Sequence, residues 1–251
     1  MLPHRLRRMT SIFFVTYGLF AYLFFLATFL CFIGFVGGLP LLPHTIDSGN
    51  ASPLGTAVAV DLALITSFGL QHSVMARASF KRLWARVVPA AIERSTYVLA
   101  STLALVLVMG QWRPIASPVI WEVTGAGAVA MQVIFWAGWA MMLTSSFLLN
   151  HFELFGLSQV GAAAFRLAAP EPEFRTPLFY RYVRHPLYTG LLAAFWSAPL
   201  MTLGHLLFAL GMTAYIVVGI AFEERDLVEA FGSRYADYRR RVGMLLPWRR
   251  A

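Results

Sequence analysis

Long apolar runs separated by short polar loops form the main pattern of this chain. A helix needs about 20 mostly apolar residues to cross the hydrocarbon core of a bilayer, which is roughly 30 Å thick. The runs that suit this length are 11–38, 53–76, 95–112, 124–149, 186–202 and 205–222. The pattern therefore predicts an all-α integral membrane protein with six transmembrane helices.

The last two runs form one apolar stretch with a short interruption at Met201-Thr202-Leu203-Gly204-His205. Because the whole stretch is too long for a single crossing, we predict that it folds as a helical hairpin. At the other end of the chain, the run 11–38 follows a basic start. It is too long for the apolar part of a signal peptide, which has about 7–15 residues, so we expect a retained first span.

Charged residues are scarce and unevenly placed. They make up 13% of the 251 residues, whereas soluble domains usually carry about 25%. If the N-terminus is cytoplasmic, the six spans leave 19 of the 20 Lys and Arg residues inside and only Arg113 outside. This bias predicts that both termini face the cytoplasm. The same bias explains the net charge of +8, because basic residues orient the protein in the membrane and contact lipid head groups. We therefore expect no nucleic-acid partner.

No internal repeat or linker divides the chain, and we predict one membrane domain over residues 1–251. The predicted outside loops are short and poor in charge, whereas the inside loops are rich in His, Glu, Arg and Tyr. Reactive side chains are therefore collected on one face, and we expect a cytoplasmic-facing active site.

The polar segment 179–190 reads FYRYVRHPLYTG and leads into an apolar run. Pro186 suits the first turn of a helix, where its missing N–H costs nothing. It also favours an extended conformation of His185, just before that helix. Arg184 and His185 are thus predicted at a helix N-terminus, which favours anions such as a carboxylate. The alternative is a basic, aromatic anchor at the membrane interface.

A second polar segment, Glu223-Glu224-Arg225-Asp226-Leu227, follows the last apolar run. Two adjacent carboxylates at the edge of a membrane are costly unless they are paired or used. A carboxylate can accept hydrogen bonds from both hydroxyls of a ribose, as acidic residues do in nucleotide sites. The alternative is that Glu223 and Glu224 only pair with Arg225 and neighbouring arginines.

Together the two segments resemble the isoprenylcysteine carboxyl methyltransferase superfamily, which includes membrane phospholipid methyltransferases. The shared elements are Arg-His-Pro-x-Tyr-x-Gly, a helical hairpin, Glu-Glu-x-x-Leu and Phe-Gly-x-x-Tyr-x-x-Tyr, in this order. The resemblance implies that residues 178–247 form a site for the cofactor S-adenosyl-L-methionine (SAM), with the hairpin as its wall. The residues implied in cofactor binding are Tyr180, Arg184, His185, Tyr188, Gly190, Glu223 and Glu224.

Three further strings resemble one branch of that superfamily. They are Gln71-His72-Ser73-Val74-Met75-Ala76-Arg77, Glu93-Arg94-Ser95-Thr96-Tyr97 and Leu149-Asn150-His151-Phe152-Glu153-Leu154-Phe155-Gly156-Leu157. They look like strings of bacterial methanethiol S-methyltransferases and of the related NnrU-like group. The resemblance implies methyl transfer from SAM to a small volatile thiol, methanethiol, with dimethyl sulfide as the product. It also implies a multi-pass protein of the bacterial inner membrane.

The acceptor side needs a proton acceptor, because a thiol with a pKa near 8.5 is a poor nucleophile until it ionises. His72, His151 and Glu153 are the candidate bases, and they lie at predicted cytoplasmic ends of spans. Asp61 lies about three turns from His72 on the same helix face and is a candidate for the same cavity. The alternative for both is a structural role, as a satisfied histidine and as a partner of a neighbouring span. No His-x-x-x-His pair is present, so we expect no metal.

Two other functions stay open at this point. A lipid methyltransferase, or a prenyl-thiol or carboxyl methyltransferase, would share the cofactor site but would need a wide lateral opening. A non-catalytic membrane protein of the NnrU type would share only part of the motifs. The sequence also leaves open the oligomeric state, the acceptor range and the identity of the base. It does not decide whether 186–222 crosses the membrane twice or forms a re-entrant hairpin.

Overall fold

The computed structural model describes residues 4–165, 167 and 174–247, and most of them are helical. Arg166, Arg249 and Arg250, which contribute to the predicted inward charge, lie outside the described residues. In chain order, the first elements are α1 (His4–Val36), α2 (Leu54–Ala76), α3 (Ala78–Trp84), α4 (Ala90–Gln111), β1 (Val119–Glu122) and α5 (Gly125–Leu148). They are followed by α6 (His151–Leu154), α7 (Leu157–Phe165), a 3₁₀ turn (Leu178–Arg181), α8 (Pro186–Trp196), β2 (Leu200–Thr202), α9 (Leu203–Phe231) and α10 (Ser233–Arg241).

Five helices in the described part of the chain are long and apolar enough to cross a membrane, namely α1, α2, α4, α5 and α9. The chain is thus an all-helical integral membrane protein, as predicted. Segment 186–202, predicted as a further spanning helix, differs. It is helical only over the 11 residues of α8, which is about 16 Å at 1.5 Å per residue. The described residues therefore contain five helices of spanning length instead of the predicted six.

The remainder of segment 186–202 is extended, and its strand β2 pairs with β1, which lies in the loop between α4 and α5. Strand β2 runs antiparallel to β1, with Thr202 opposite Val119. Beyond the strands, the N–H of Val123 donates to the carbonyl of Pro199 at 2.8 Å. Backbone groups without a helical partner must find one within the protein at membrane depth, and this strand pair supplies it. The apolar run alone does not show this arrangement, because the partner strand lies far away in sequence.

Two glycines allow α8 to lie directly against α5. A Cβ atom on Gly190 would lie 2.4 Å from the carbonyl oxygen of Gly138 and 2.8 Å from the amide nitrogen of Met142. These distances are far too short for any side chain, so glycine is required at the crossing. Small residues at helix contacts are typical of membrane proteins, where close backbone approach drives association. Although α8 is short, it is therefore fixed to a full-length helix.

Aromatic rings form the centre of the helix bundle. Phe32 on α1 meets Trp139 on α5 edge to face, with ring centroids 5.9 Å apart. Phe195 on α8 packs in the same way against Phe208 on α9, with centroids 5.2 Å apart. All four rings are buried. Edge-to-face pairs contribute about 0.5–1.5 kcal/mol each beyond their area burial, so this core holds four helices together.

The buried carboxylate of Asp61 lies toward the end of α2 that is remote from His72. Its Oδ1 atom accepts a hydrogen bond from the backbone N–H of Arg113 at 2.9 Å, just after α4 ends. Asp61 therefore holds the loop after α4, and the structure favours the structural alternative over a shared cavity with His72. The opposite end of the bundle contains the start of α8 and the ends of α2 and α9, where the candidate site lies.

Candidate active site

The C-terminal tail closes on the start of α8. The backbone N–H of Arg184 donates to the carbonyl of Gly243 at 2.8 Å, and that of His185 donates to the carbonyl of Met244 at 3.1 Å. These two amides were expected to favour an anion. Since the tail already pairs them, they are not open to a ligand, and the polar side chains around them define the site.

Arg184, His185 and Glu224 form a buried ion cluster between α8 and α9. The Oε1 atom of Glu224 accepts from Nε of Arg184 at 2.7 Å and lies 3.1 Å from Nε2 of His185. Arg184 also donates to the backbone carbonyl of Val242 in the tail. Charges at this depth are stable only when they are paired and hydrogen-bonded. The cluster therefore joins α8, α9 and the tail into one unit.

Glu223 precedes Glu224 but has a different environment. Its Oε2 atom accepts from the Tyr188 hydroxyl at 2.9 Å. Its Oε1 atom lies 3.9 Å from Nδ1 of His185, and 41% of the side chain is exposed. A carboxylate has about four acceptor positions, so Glu223 keeps acceptor capacity for a ligand.

Two of the residues expected to bind the cofactor lie outside these contacts. The Tyr180 hydroxyl reaches the backbone carbonyl of Ser145 at the end of α5, at 3.5 Å. Its own carbonyl accepts from the Tyr238 hydroxyl. Burial, with the charge of Glu223, raises the pKa of Tyr180 above its ordinary value. Tyr180 thus supports the turn before Arg184, while Gly190 serves the contact with α5.

A second polar cluster lies between α2, α4 and α9. The Nδ1 atom of His72 is 3.1 Å from Oγ of Ser101. The His72 ring centroid lies 5.0 Å from that of Tyr97 and 6.1 Å from that of Tyr215. The side chain of Gln71 donates to Ser101 at 3.4 Å, and its buried Oε1 atom has no hydrogen-bond partner within residues 4–165, 167 and 174–247. Of the two His72 ring nitrogens, the described residues hydrogen-bond only Nδ1.

Both clusters lie against α9. The Tyr188 hydroxyl bonds to Glu223 of this helix. The ring of Tyr215, about two turns earlier on the same helix, packs against the ring of His72. Sequence analysis did not single out Tyr215, Tyr97 or Ser101 as site residues. A hydroxyl inside an apolar span was the available signal for Tyr215, and Tyr97 ends one of the quoted strings.

His151 lies in a third environment, between α1 and α5. Its Nδ1 atom is 2.8 Å from Oγ of Ser146 and its Nε2 atom is 2.9 Å from the Tyr22 hydroxyl. The Ser146 hydroxyl donates to the carbonyl of Leu143, so it accepts from Nδ1–H of His151. Nε2 then accepts from Tyr22, and both ring nitrogens are engaged. Burial lowers the pKa of His151 below its ordinary value of 6.5, which keeps the ring neutral.

Glu153 belongs to the exposed turn after α5. Its carboxylate accepts from the Asn150 side-chain amide at 2.8 Å. Arg94 connects this turn to the second cluster, since its Nε atom donates to the carbonyl of Leu154 at 2.7 Å. Its guanidinium lies 5.0 Å from the Tyr97 ring centroid. Of the three candidate bases, His72 is the one whose contacts among the described residues include a side chain of α9, that of Tyr215.

The fold and these clusters define a helical membrane protein with an acid-base site at one end of the bundle. Curated relatives match it along most of its length. The chain is 54% identical over 235 residues to "Methanethiol S-methyltransferase" of Mycobacterium tuberculosis, and the matched region covers 93% of this chain and 96% of that protein. It is 52% identical over 236 residues to "Methanethiol S-methyltransferase 1" of Bradyrhizobium diazoefficiens, covering 94% and 82%.

A more distant relative is "Nurim" of Danio rerio, which is 30% identical over 178 residues, or 68% of this chain and 64% of that protein. No family model matches the chain, and no solved structure matches it at a significant level. The extent and identity of the bacterial matches decide the family: the chain belongs to the methanethiol S-methyltransferases, a family of methyltransferase enzymes.

Proposed function

We propose that this protein transfers a methyl group from SAM to methanethiol and releases dimethyl sulfide. The observation that carries the proposal is the shared helix α9, which holds the half-exposed Glu223 beside Tyr188 and, about two turns earlier, places Tyr215 against the ring of His72. One cluster has the charge to hold a cationic cofactor, and the other has a histidine for a thiol proton. The M. tuberculosis and B. diazoefficiens relatives are named for this acceptor.

Residues 178–247 form the cofactor part of the single membrane domain in this proposal. SAM carries a sulfonium and an ammonium group beside one carboxylate, so an acidic site suits it. Glu223 has the acceptor capacity for an ammonium or for ribose hydroxyls. The ring of Tyr188 offers a face to the sulfonium cation. Arg184 and His185 hold Glu224 and so position the neighbouring Glu223, while SAM, when bound, supplies the electrophilic methyl group.

His72 is the favoured base on the acceptor side. In the tautomer whose Nδ1–H donates to Ser101, the Nε2 lone pair is available to take the proton of a thiol. The sulfur then keeps the electron pair with which it bonds to the methyl group. His151 has both ring nitrogens engaged, and Glu153 is tied to Asn150 in an exposed turn. These two therefore rank behind His72.

An acceptor panel tests the proposal. Purified protein would be incubated with methyl-labelled SAM and, in separate reactions, methanethiol, a prenylcysteine and phosphatidylethanolamine. We expect label in dimethyl sulfide alone. Label in the lipid or the prenylcysteine would instead support the wider superfamily activity. Calorimetric titration with SAM is the companion measurement, because a non-catalytic protein of the NnrU type would give no binding heat.

We further propose that the chain crosses the bacterial inner membrane six times, with both termini in the cytoplasm. The support is geometric. His185 contacts Glu224 at one end of α9, and β2 leads directly into α9 at the other. Segment 186–202 thus covers the depth of α9 between Leu203 and Glu224, which is about 32 Å at 1.5 Å per residue. A short helix and a paired strand make this sixth crossing.

Cysteine labelling tests the topology in a Cys31→Ser background. Ser117→Cys should react with a membrane-impermeant reagent added outside intact cells. Ser233→Cys, which lies at the start of α10, should react only after the membrane is opened. Labelling of position 233 in intact cells would contradict the six crossings.

A further inference from the structure

A cavity of 390 Å³ lies at the end of the bundle opposite the candidate active site. It is lined by the end of α1, the loop after it and the region around β2. His205, in the first turn of α9, faces it, whereas Glu224 lies 19 residues further along the same helix, about 28 Å away. The methyl-transfer proposal makes no use of this cavity.

The protonation of His205 follows from its buried contacts. Only 2% of the residue is exposed. Its Nε2 atom lies 3.0 Å from the backbone carbonyl of Phe195. A carbonyl oxygen can only accept, so Nε2 carries the proton and Nδ1 of the neutral ring is an acceptor. That Nδ1 atom is buried and has no hydrogen-bond partner among the described residues.

The nearest charged group to that nitrogen is another acceptor. Oδ2 of Asp47 lies 3.6 Å from Nδ1 of His205. Oδ1 of Asp47 accepts from the Thr202 hydroxyl, and the Thr202 oxygen accepts from the backbone N–H of His205. The carboxylate is thus held in place while Oδ2 faces the imidazole. While the His205 ring is neutral, Nδ1 and Oδ2 are two acceptors that face each other, and a donor from elsewhere would satisfy both. Leaving the buried Nδ1 atom unpaired costs about 1–3 kcal/mol.

The walls of the cavity indicate what kind of donor fits. Asp47 is the one lining residue, among those described, with a formal charge at neutral pH. This favours a cation. Val36, Phe135 and Pro199 supply apolar and aromatic walls, which suit an organic cation. Hard metal ions prefer several oxygen ligands, and the described residues contain no group of three or more His, Cys, Asp or Glu side chains that could hold one.

We propose that this cavity binds a primary ammonium group, whose N–H donors bridge Oδ2 of Asp47 and Nδ1 of His205. The group is carried either by a free amine or by the head group of an aminophospholipid. Both sources share the charge and the donors that the two residues require.

Thermal unfolding of the full-length protein in detergent tests the proposal, with ethylammonium chloride as the probe. At a concentration about five times its Kd, the probe should raise the melting temperature by about 2–4 °C. Ethyltrimethylammonium chloride has the same charge but no N–H group, and it should have no effect. Asp47→Asn should abolish the rise, whereas Glu122→Gln, an exposed carboxylate on β1, should keep it. Equal rises with both probes, or none with either, would overturn the proposal.

Nitrogen NMR of the histidine rings gives a readout that does not depend on the Asp47 variant. In the absence of the probe at pH 8, Nδ1 of His205 should be unprotonated, and its signal should move on titration with ethylammonium. A doubly protonated ring at this pH would mean that His205 and Asp47 pair with each other, which contradicts the proposal. The signal is identified by its loss in His205→Gln.

Nanodiscs distinguish the two sources. If the occupant is a lipid head group, phosphatidylethanolamine discs should abolish the response to ethylammonium, and phosphatidylcholine discs should preserve it. If the occupant is a free amine, the response should be equal in both. A response in neither disc would count against the site.

Discussion

Nε2 of His185 lies 3.1 Å from Oε1 of Glu224, although the two residues are 39 positions apart in sequence. This contact joins the start of α8 to the end of α9 and leaves the neighbouring Glu223 half-exposed. The two adjacent glutamates therefore have different surroundings. Glu224 joins α8 to α9, and in the proposed site Glu223 has the acceptor capacity for the cofactor.

Paired glutamine variants should distinguish the two glutamates. Glu223→Gln should weaken SAM binding at least tenfold, about 1.4 kcal/mol, with little change in melting temperature. Glu224→Gln should weaken binding and also destabilise the fold by about 3–5 kcal/mol, because Arg184 loses its buried partner. Glu229→Gln, on the exposed side of α9, is the control and should change neither quantity. Unchanged SAM affinity in both site variants would remove the cofactor site.

Two neighbouring tyrosines on α10 should respond in opposite ways to loss of their hydroxyls. The Tyr238 hydroxyl donates to the carbonyl of Tyr180, so Tyr238→Phe leaves a buried acceptor unpaired and should cost about 1–3 kcal/mol. The Tyr235 hydroxyl is buried and has no hydrogen-bond partner in the part of the chain that the structure describes, so Tyr235→Phe should be neutral or stabilising. Melting temperatures of the two variants give the comparison. Equal losses would mean that the hydroxyl contact with Tyr180 is not formed.

The contact of α8 with α5 predicts a strong loss of stability at one glycine, whereas a glycine outside this contact should give a small gain. Gly190→Ala places a Cβ atom against the backbone of Gly138 and should cost about 1–3 kcal/mol or more. Gly219→Ala, in α9, meets no atom of the described residues within 4 Å and should stabilise the helix by about 0.5–1 kcal/mol. If Gly190→Ala keeps full stability, the close crossing of these helices is wrong.

His151 should give the stability of the protein a specific pH dependence. Its folded pKa is lowered below 6.5 by burial, so the unfolded state binds more protons near pH 6. The free energy of unfolding should therefore fall as the pH drops from 7.5 to 5.5. His151→Gln should show a shallower fall over that window. Denaturant unfolding at several pH values measures both slopes, and identical slopes would show that His151 does not titrate differently in the two states.

The long helices could be predicted from the sequence because a helix that crosses a bilayer needs a long apolar run. The lengths of apolar runs placed α1, α2, α4, α5 and α9 correctly, because a single helix must pair all its backbone groups at membrane depth. The same rule predicted a spanning helix at 186–202, where the structure has only the 11-residue helix α8 followed by strand β2. That segment satisfies part of its backbone through β1, and a remote strand partner leaves no trace in a run of apolar residues.

For the candidate site, the sequence pointed to residues that lie together, but it did not show their contacts. The string around His185 and the pair of glutamates meet in one cluster of the structure. Whether a histidine nitrogen is free depends on neighbours from other helices, such as Ser101 beside His72 and Tyr22 beside His151. Those neighbours have no regular spacing from the histidines. The sequence did not show the close contact of Gly190 either, because the backbone that it meets belongs to another helix, α5.

The most direct test of the account is headspace mass spectrometry of dimethyl sulfide made by the purified protein from methanethiol and methyl-deuterated SAM. The product should carry one deuterated methyl group. His72→Gln should lower kcat by about 10²-fold, as expected for loss of a positioned base. It should change SAM affinity by less than threefold, about 0.65 kcal/mol, and a higher pH should restore part of the rate by ionising the thiol in solution. Unlabelled product, no product, or a His72→Gln variant with normal turnover would contradict the account.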